Sequence, residues 1–472
     1  MPDHQRIHLP DERHEIGGNL RVIGVHRRFH TPGRFRTPAI VSPQADSALN
    51  PGVARREVWA WAMYDFANSG YTTVVLTAVF NAYFVATVAG NAPWATFAWT
   101  VALAVSFAIV MVAGPVVGAW ADAHAAKKRA LAITTAFCVA GTAMLAGAGP
   151  GDVAWAVAFV IVSNVAYALG ENLAAAFLPE LARPASVGKV SGWGWSLGYF
   201  GGILALGLGL AWVMSAPARG STTAESVGGT MLLTAAVFAL ASLPTFLLLR
   251  ERAVPVPPAA RQSHAFARLA RTAKEAAGYR DLLAVFACGT FYQAGVATVI
   301  ALAAIYAEQV MGFETKDTIL LIIAVNVTAA IGAFGFGYAQ DRIGKVRALR
   351  ITLFAWVAMV VVAYFATTPA VFWVAANLAG LAMGSSQSAG RALVAYFAPP
   401  ERSGEFFGLW GVATRLASIL GPVTYGAVTW ATGGNHRLAI LFTGAFFLVA
   451  IAILAVVDER RGHAAAHCPE PT

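Results

Sequence analysis

Polar side chains recur on one face of an otherwise apolar stretch, Trp59 to Val88. Four of them, Asp65, Asn68, Ser69 and Thr72, are spaced i, i+3, i+4 and i+7. This spacing stacks side chains on one face of an α-helix. The stretch is long enough to cross a bilayer, which takes about 20 mostly apolar residues. A carboxylate at the centre of a membrane segment costs about 2.5–3.5 kcal/mol, so Asp65 should face protein or water. Such a face could bind a polar solute or a proton.

The composition places the chain in the membrane class. Hydrophobic residues make up 58% and charged residues 12%, with a mean hydropathy of +0.62, whereas a soluble domain carries about 25% charged residues. The three cysteines, Cys138, Cys288 and Cys468, have no metal-ligand spacing and suggest no disulfide framework. Phosphate-binding loops, zinc-binding H-E-x-x-H motifs and nucleophile elbows are absent from the sequence. We therefore expect no enzyme activity, no catalytic residue, no metal and no cofactor.

Twelve apolar segments with short punctuation between them predict an all-α membrane protein. The first is the stretch with the polar face. We predict the others near 94–121, 130–149, 153–178, 191–214, 229–249, 282–310, 317–340, 348–367, 370–397, 405–431 and 437–457. The lipid bilayer is thus an expected partner of the chain.

Lysine and arginine in the loops predict the orientation. Most of them fall in alternate loops, for example at 127–129 and 342–350, whereas the opposite loops hold only Arg219, Lys316 and Arg437. Because cytosolic loops carry the excess of basic residues, both termini are expected in the cytosol. This bias also accounts for the net charge of +9 without a nucleic-acid partner. In a bacterium the membrane would be the inner or plasma membrane.

A Pro-rich polar stretch, RERAVPVPPAARQ, interrupts the helices in the middle of the chain and divides them into two six-helix halves. We predict a disordered cytosolic tail at 1–57, a first half at 58–249, a cytosolic central loop at 250–281, a second half at 282–457 and a cytosolic tail at 458–472. An arm that regulates the protein or binds anionic lipid is the alternative interpretation of the first tail.

A loop motif follows the second and the eighth predicted helix. GAWADAHAAKKRA contains Gly118 and Asp122, and GYAQDRIGKVRA contains Gly337, Asp341 and Arg342, with 219 positions between the two acids. The pattern resembles the signature loop of the major facilitator superfamily, whose members place two six-helix halves around a central cavity. The resemblance implies a gate, in which glycines let helices approach and each acid binds the N-terminus of a helix from the other half. A basic loop that only sets the topology is the alternative.

The run YDFANSGY at 64–71 narrows the resemblance to the vacuole-effluxer family, the autophagy-related amino-acid exporters and their bacterial relatives. The resemblance continues in SGWGWSLGYFGG, AAIYAEQVMGF, GSSQSAGRALVAYFAP and EFFGLWGVATRLASILGP. It implies a secondary transporter that moves an amino acid or a related small metabolite by alternating access, with export favoured. Lipid or drug efflux and a non-transporting membrane sensor are the alternatives.

A second polar stripe lies in the fourth predicted helix. It consists of Asn164, Tyr167 and Glu171 at i, i+3 and i+7, and the same spacing recurs 220 positions later in a stripe that ends with Gln387 and Arg391. The fourth and tenth helices are symmetry mates in the superfamily that the chain resembles. We therefore predict that Glu171 and Arg391 face one another at similar depth and pair when the cytosolic side is closed.

In the alternative, Glu171 pairs with Arg415 and Arg391 pairs with Asp65. With either pairing, we expect the substrate-binding or coupling residues on the first, fourth, seventh and tenth helices. They are Asp65, Asn68, Thr72, Asn164, Tyr167, Glu171, Tyr292, Gln293, Gln387 and Arg391. An acid would bind an ammonium group or a proton, and Arg391 would bind a carboxylate. Proton coupling is thus permitted by these residues but not required.

Overall fold

The computed structural model describes residues 48–255, 279–309, 311–313, 315–433 and 435–467. The predicted tail up to residue 47, most of the predicted central loop (256–278) and the last five residues lie outside the described residues. Before the central loop the helices are α1 (Arg55–Tyr71), α2 (Phe80–Tyr83), α3 (Ala95–His124), α4 (Lys127–Met144), α5 (Val153–Ala175), α6 (Leu178–Leu181), α7 (Val187–Met214), α8 (Ala216–Arg219) and α9 (Thr223–Leu248). After it come α10 (Arg280–Gln309), α11 (Thr315–Ile343), α12 (Lys345–Phe365), α13 (Pro369–Phe397), α14 (Ser403–Ala431), α15 (His436–Leu454) and α16 (Glu459–His467).

The first apolar stretch is not a regular helix. α1 passes into a π-helical segment, Thr72–Ala78, and a second π-helical segment, Phe84–Val88, follows α2. The Thr72 hydroxyl donates to the carbonyl of Ser69 (3.1 Å), and the Thr77 hydroxyl donates to the carbonyl of Thr72 (3.1 Å). Hydroxyls that bond to a preceding turn often bend helices, and π-helical turns often mark functional sites. The irregular part thus begins at Thr72, the last residue of the predicted polar face.

Eleven helical segments of the described chain are long and apolar enough to cross a membrane. The helix α13 has 29 residues but is not among them, because it carries polar residues such as Asn377, Gln387 and Arg391 that lower its hydropathy. Eleven spans are therefore supported, and the twelfth stays a prediction.

The described residues before the predicted tail boundary at residue 57 contact the rest of the fold. The carboxylate of Glu57 accepts a hydrogen bond from the backbone N–H of Ala54 (3.1 Å), which caps the first turn of α1. Before it, Leu49 forms an isolated antiparallel bridge with Ala182, and the N–H of Asn50 donates to the carbonyl of Leu181 (3.0 Å). The end of the predicted tail is thus part of the fold. The predicted C-terminal tail likewise contains a helix, α16.

Early helices pack against late ones, most extensively α3 against α14 and α7 against α11. Glycines allow the backbones to meet there. A Cβ atom at Gly118 of α3 would overlap the backbone of Gly404, and one at Gly192 of α7 would lie 2.5 Å from the carbonyl oxygen of Ala333 and 2.9 Å from the Cα of Gly337. These close approaches carry the side chains at the ends of α3 and α11 to the first turns of α14 and α7.

Candidate functional site: helix-terminus acids and interior ion pairs

Asp341, near the end of α11, binds the N-terminus of α7. Its Oδ1 accepts a hydrogen bond from the N–H of Gly188 (3.0 Å), and its Oδ2 accepts one from the N–H of Lys189 (2.8 Å). The neighbouring Gln340 donates from Nε2 to the carbonyl of Gly188 (3.0 Å). The first turn of a helix has unpaired N–H groups and a partial positive charge, so it stabilises a carboxylate. Asp341 therefore ties α11 to α7 in the way that the repeated motif suggests.

Asp122, near the end of α3, makes the equivalent contact with α14. Its two oxygens accept hydrogen bonds from the N–H groups of Gly404 (3.1 Å) and Glu405 (2.9 Å), and only 3% of the residue is exposed. Each copy of the motif thus fixes a late turn of one helix to the first turn of another. The two acids thus hold α3 to α14 and α11 to α7.

The basic groups nearest the two acids are lysines. Nζ of Lys127 lies 3.7 Å from Oδ1 of Asp122, and Nζ of Lys345 lies 3.6 Å from Oδ1 of Asp341. The side chain of Arg342 is exposed, and within the described part of the chain it has no hydrogen bond or ion pair. Consecutive side chains of a helix point about 100° apart. Arg342 therefore points away from the contact that Asp341 makes with α7.

Arg391 of α13 forms an ion pair with Asp65 of α1. Its Nη1 donates to Oδ2 of Asp65 (2.6 Å), its Nε donates to Oγ of Ser191 (3.1 Å), and its Nη2 donates to the carbonyl of Ser191 (2.8 Å). The guanidinium lies 4.8 Å from the ring centroid of Trp61 and 5.2 Å from that of Trp195. Each of its three nitrogens therefore has a protein partner.

Arg415 of α14 forms a second ion pair, with Glu171 of α5. Its Nη2 donates to Oε2 of Glu171 (2.6 Å), and the side chains are 12% and 33% exposed respectively. The guanidinium lies 5.7 Å from the ring centroid of Phe107 and 5.8 Å from that of Tyr167. Solvent thus reaches this carboxylate although the residues beside it in α5 are buried.

The predicted pairing of Glu171 with Arg391 is wrong for this conformation, and the alternative pairing is present. Equivalent positions in a repeat predict similar depth, but the packing of each helix decides which partner a side chain meets. The helix α13 packs on α7, and α5 packs on α14. Arg391 accordingly turns toward Ser191 and Asp65, and Glu171 turns toward Arg415.

Two predicted amides are buried without partners. Asn68 is 5% exposed and Asn164 is fully buried, and both polar atoms of each side chain have no hydrogen-bond partner within the described ranges. The helices that carry them meet here, because the Tyr71 hydroxyl lies 2.8 Å from Oγ of Ser163 and the Tyr71 ring stacks on that of Tyr167. A buried polar group left unpaired costs about 1–3 kcal/mol. These two amides thus have unused hydrogen-bonding capacity inside the helix bundle.

The remaining predicted residues lie between α10 and α13 or bond within their own helix. Gln293 and Gln387 exchange two hydrogen bonds, of 2.8 and 3.1 Å, between their amides. The Tyr292 hydroxyl is buried and has no hydrogen-bond partner among the described residues. Thr72 bonds to its own helix, so its hydroxyl is already engaged.

Some residues of the site were not candidates from the sequence. Glu251 accepts hydrogen bonds from the first two N–H groups of α4 (2.6 and 3.1 Å), and Glu459 does the same for α12 (3.1 and 3.0 Å). Each follows the last long helix of its part of the chain, so the repeat could have identified them. Nothing comparable marks Trp61 or Ser191, and Arg415 was named only as an alternative partner.

Comparison with known proteins gives a match over most of the chain. The family model described as "Vacuole effluxer Atg22 like" matches residues 94–467. The uncharacterized MFS-type transporter YxiO of Bacillus subtilis is 28% identical over 405 residues, covering 85% of this chain and 94% of that protein. Autophagy-related protein 22-1 of Aspergillus fumigatus is 25% identical over 303 residues, covering 58% of this chain and 48% of that protein.

Among solved structures, the human organic anion transporter MFSD10 superposes with a TM-score of 0.66. The superposition covers 85% of this chain and 99% of that chain, at 15% sequence identity. The likeness at this identity concerns the fold, which is that of the major facilitator superfamily.

Proposed function

Because the chain belongs to the Atg22-like vacuole effluxer family of major facilitator transporters, we propose that it carries a small polar solute, an amino acid or a related metabolite, across its membrane. The protein is an integral membrane transporter of the secondary type and not an enzyme. Export is the proposed direction, in line with the family description. The observation that carries the solute class is the pair of buried, unpartnered amides at Asn68 and Asn164.

These amides favour a hydrogen-bonding solute over a lipid or an apolar drug. A solute with polar groups can pair with amide donors and acceptors that otherwise stay unsatisfied. An apolar solute would leave them buried and unpaired, at a cost of about 1–3 kcal/mol for each group. The same two helices, α1 and α5, also carry the acids of the two ion pairs, whose arginines lie on α13 and α14.

Alternating access is the proposed mechanism, with the helix-terminus acids as one gate. Asp122 and Asp341 hold α3 against α14 and α11 against α7 at the end of the bundle where the basic loops lie. By the distribution of Lys and Arg, we place this end and both termini in the cytosol. The described conformation is then closed on the cytosolic side. To move the solute, these contacts must break while a barrier forms at the other end.

The two-half architecture belongs to the same proposal. We propose spans in two sets of six, at 58–249 and 282–457, with α13 as the twelfth span. The repeated motif and the equivalent caps at Glu251 and Glu459 support this division. The polar residues of α13 are compatible with a span because 18 of its residues are buried in the protein, among them Arg391.

The test is ligand-dependent stability and counterflow with purified protein in liposomes. A solute that binds the folded state raises its melting temperature by mass action, so amino acids, peptides, sugars and lipids are compared. We expect stabilisation and counterflow with amino acids, and we expect Asn164→Leu to weaken the apparent affinity about tenfold. Asn326→Leu is the matched control, since the amide of Asn326 donates to the carbonyl of Ile322 in its own helix. Stabilisation by lipids alone, with no amino acid effective, would reject the proposed solute class.

A further inference from the structure

The two interior ion pairs differ in how fully the arginine is used. Arg391 directs each of its three nitrogens to a partner, on Asp65 or Ser191, and only 6% of the residue is exposed. A solute carboxylate could bind it only by displacing bonds that are already made. The pair between Asp65 and Arg391 therefore serves to hold α1, α7 and α13 together.

Arg415 has a donor to spare. Its Nη2 binds Glu171, but its Nε is buried and has no hydrogen-bond partner among the described residues. Nε and Nη2 lie on the same edge of a guanidinium, the edge that binds a carboxylate through two parallel hydrogen bonds. Glu171 occupies only half of this edge, and a third of its own side chain remains exposed. The pair is thus incomplete and accessible to solvent.

We propose that Glu171 and Arg415 bind the two charged groups of a zwitterionic solute. The solute carboxylate takes Nη2 and Nε of Arg415, and the ammonium group of the solute takes the carboxylate of Glu171, which is released from Arg415. This inference rests on the proposed function and assigns the binding residues for that function. It moves the carboxylate-binding role expected for Arg391 to a residue of α14.

Charge balance makes the pair selective for zwitterions. Insertion of one positive and one negative group between Glu171 and Arg415 leaves every buried charge with an opposite partner. A solute with only a carboxylate would leave Glu171 without a partner, and a solute with only an ammonium group would leave Arg415 without one. Leaving one member of the pair alone in this way is unfavourable, because charges within a membrane segment are costly without partners.

The aromatic rings beside Arg415 support this role. Phe107 and Tyr167 lie 5.7 and 5.8 Å from the guanidinium. Their faces attract a cation without using its N–H groups, so they keep the guanidinium in place while its edge stays free to exchange partners. The pair also joins α5 to α14, which belong to the two proposed halves, so solute binding would act directly on a contact between them.

The experiment measures competition for amino-acid counterflow in liposomes by three compounds: the transported amino acid, its N-acetyl derivative and its carboxamide. We expect the unmodified protein to bind the amino acid at least tenfold more tightly than either derivative. Arg415→Gln should raise the apparent KM about tenfold or more and remove the preference over the carboxamide. Glu171→Gln should remove the preference over the N-acetyl derivative. The exposed Glu401→Gln is the control and should change neither.

A variant with one charge removed could fail to fold, so the double variant Glu171→Gln/Arg415→Gln is included, since it leaves no single charge behind. It should retain a cooperative melting transition and lose both preferences. Folded variants with an unchanged KM and unchanged preferences would overturn the inference while amino-acid transport stands. An unmodified protein that transports no amino acid would instead reject the proposed function, and the inference with it.

Discussion

Position 391 requires the planar guanidinium of arginine as well as a positive charge. Its three nitrogens point to three acceptor atoms, on Asp65 and Ser191, and the plane of the guanidinium lies near the rings of Trp61 and Trp195. A lysine has the same charge but no planar fork, so it could keep only part of this set.

We expect Arg391→Lys to lower the free energy of unfolding by about 2–4 kcal/mol, because two hydrogen bonds from a charged donor are lost while Asp65 stays largely shielded from solvent. The measurement is unfolding of the purified protein in mixed micelles, followed by tryptophan fluorescence. Arg347→Lys, at an exposed position, is the control and should unfold like the unmodified protein. Equal stability of the two variants would mean that the hydrogen bonds to Ser191 contribute little.

These same residues show what a repeat can and cannot predict. The 220-position spacing predicted that Glu171 and Arg391 belong to equivalent stripes, but the partner of each depends on helices that the stripe does not contain. Ser191 contributes a hydroxyl and a carbonyl to Arg391, and its sequence neighbours give no sign of either contact. The unpartnered state of Asn68 and Asn164 is likewise a property of packing and could not be predicted from residue type.

At the scale of helices, the proposed gate consists of two late turns that bind two first turns. The contact depends on acids, on lysines and on the absence of side chains at Gly118 and Gly192. The glycines and acids of the motif were predicted from the sequence, because a repeated spacing is visible there. The caps by Glu251 and Glu459 were missed, because they come from segments that follow other helices.

Gly192→Ala should weaken the contact between α7 and α11 and favour the open gate. Its Cβ would lie 2.5 Å from the carbonyl oxygen of Ala333 and 2.9 Å from the Cα of Gly337, so one backbone must move. Overpacking of this kind costs about 1–3 kcal/mol. The measurement is hydrogen–deuterium exchange of the first turn of α7, whose Gly188 and Lys189 amides donate to Asp341 in the closed gate.

Gly207→Ala is the matched control, because Gly207 lies in the same helix and a Cβ there would meet nothing within 4 Å. It should leave exchange at the first turn of α7 unchanged. If both variants exchanged like the unmodified protein, close approach of the backbones would not be a condition of gate closure.

At the scale of the whole molecule, the described residues from 48 to 467 belong to one compact unit. The first described residues form hydrogen bonds with a segment more than 130 positions later in the chain. The N–H of Arg183 donates to the carbonyl of Ala48 (3.1 Å), and its Nε donates to that of Leu49 (2.9 Å). The tail was predicted from composition, and composition gives no information on contacts between such distant segments.

Two deletions should therefore behave differently. Removal of residues 2–46 should preserve both the melting temperature and solute flux, as expected of a transporter rather than a sensor that needs its tail. Removal of residues 2–54 should lower the free energy of unfolding by about 2–4 kcal/mol, since several hydrogen bonds worth about 1 kcal/mol each are lost. The measurements are thermal unfolding and counterflow in parallel. Loss of flux in the shorter deletion, with unchanged unfolding, would mean that the tail regulates transport.

The distance along the chain between the paired charges has a consequence for biosynthesis. Asp65 meets Arg391 across 326 positions, and Asp122 meets the first turn of α14 across 282. At about 5–20 residues per second, a ribosome needs roughly 15–60 s to supply those partners. During that interval the newly inserted first half carries acids for which no partner has yet been translated. Water or the insertion machinery must hold these acids until the last helices are inserted. In a truncated chain the acids would stay unpaired, and membrane proteases could recognise the chain by them.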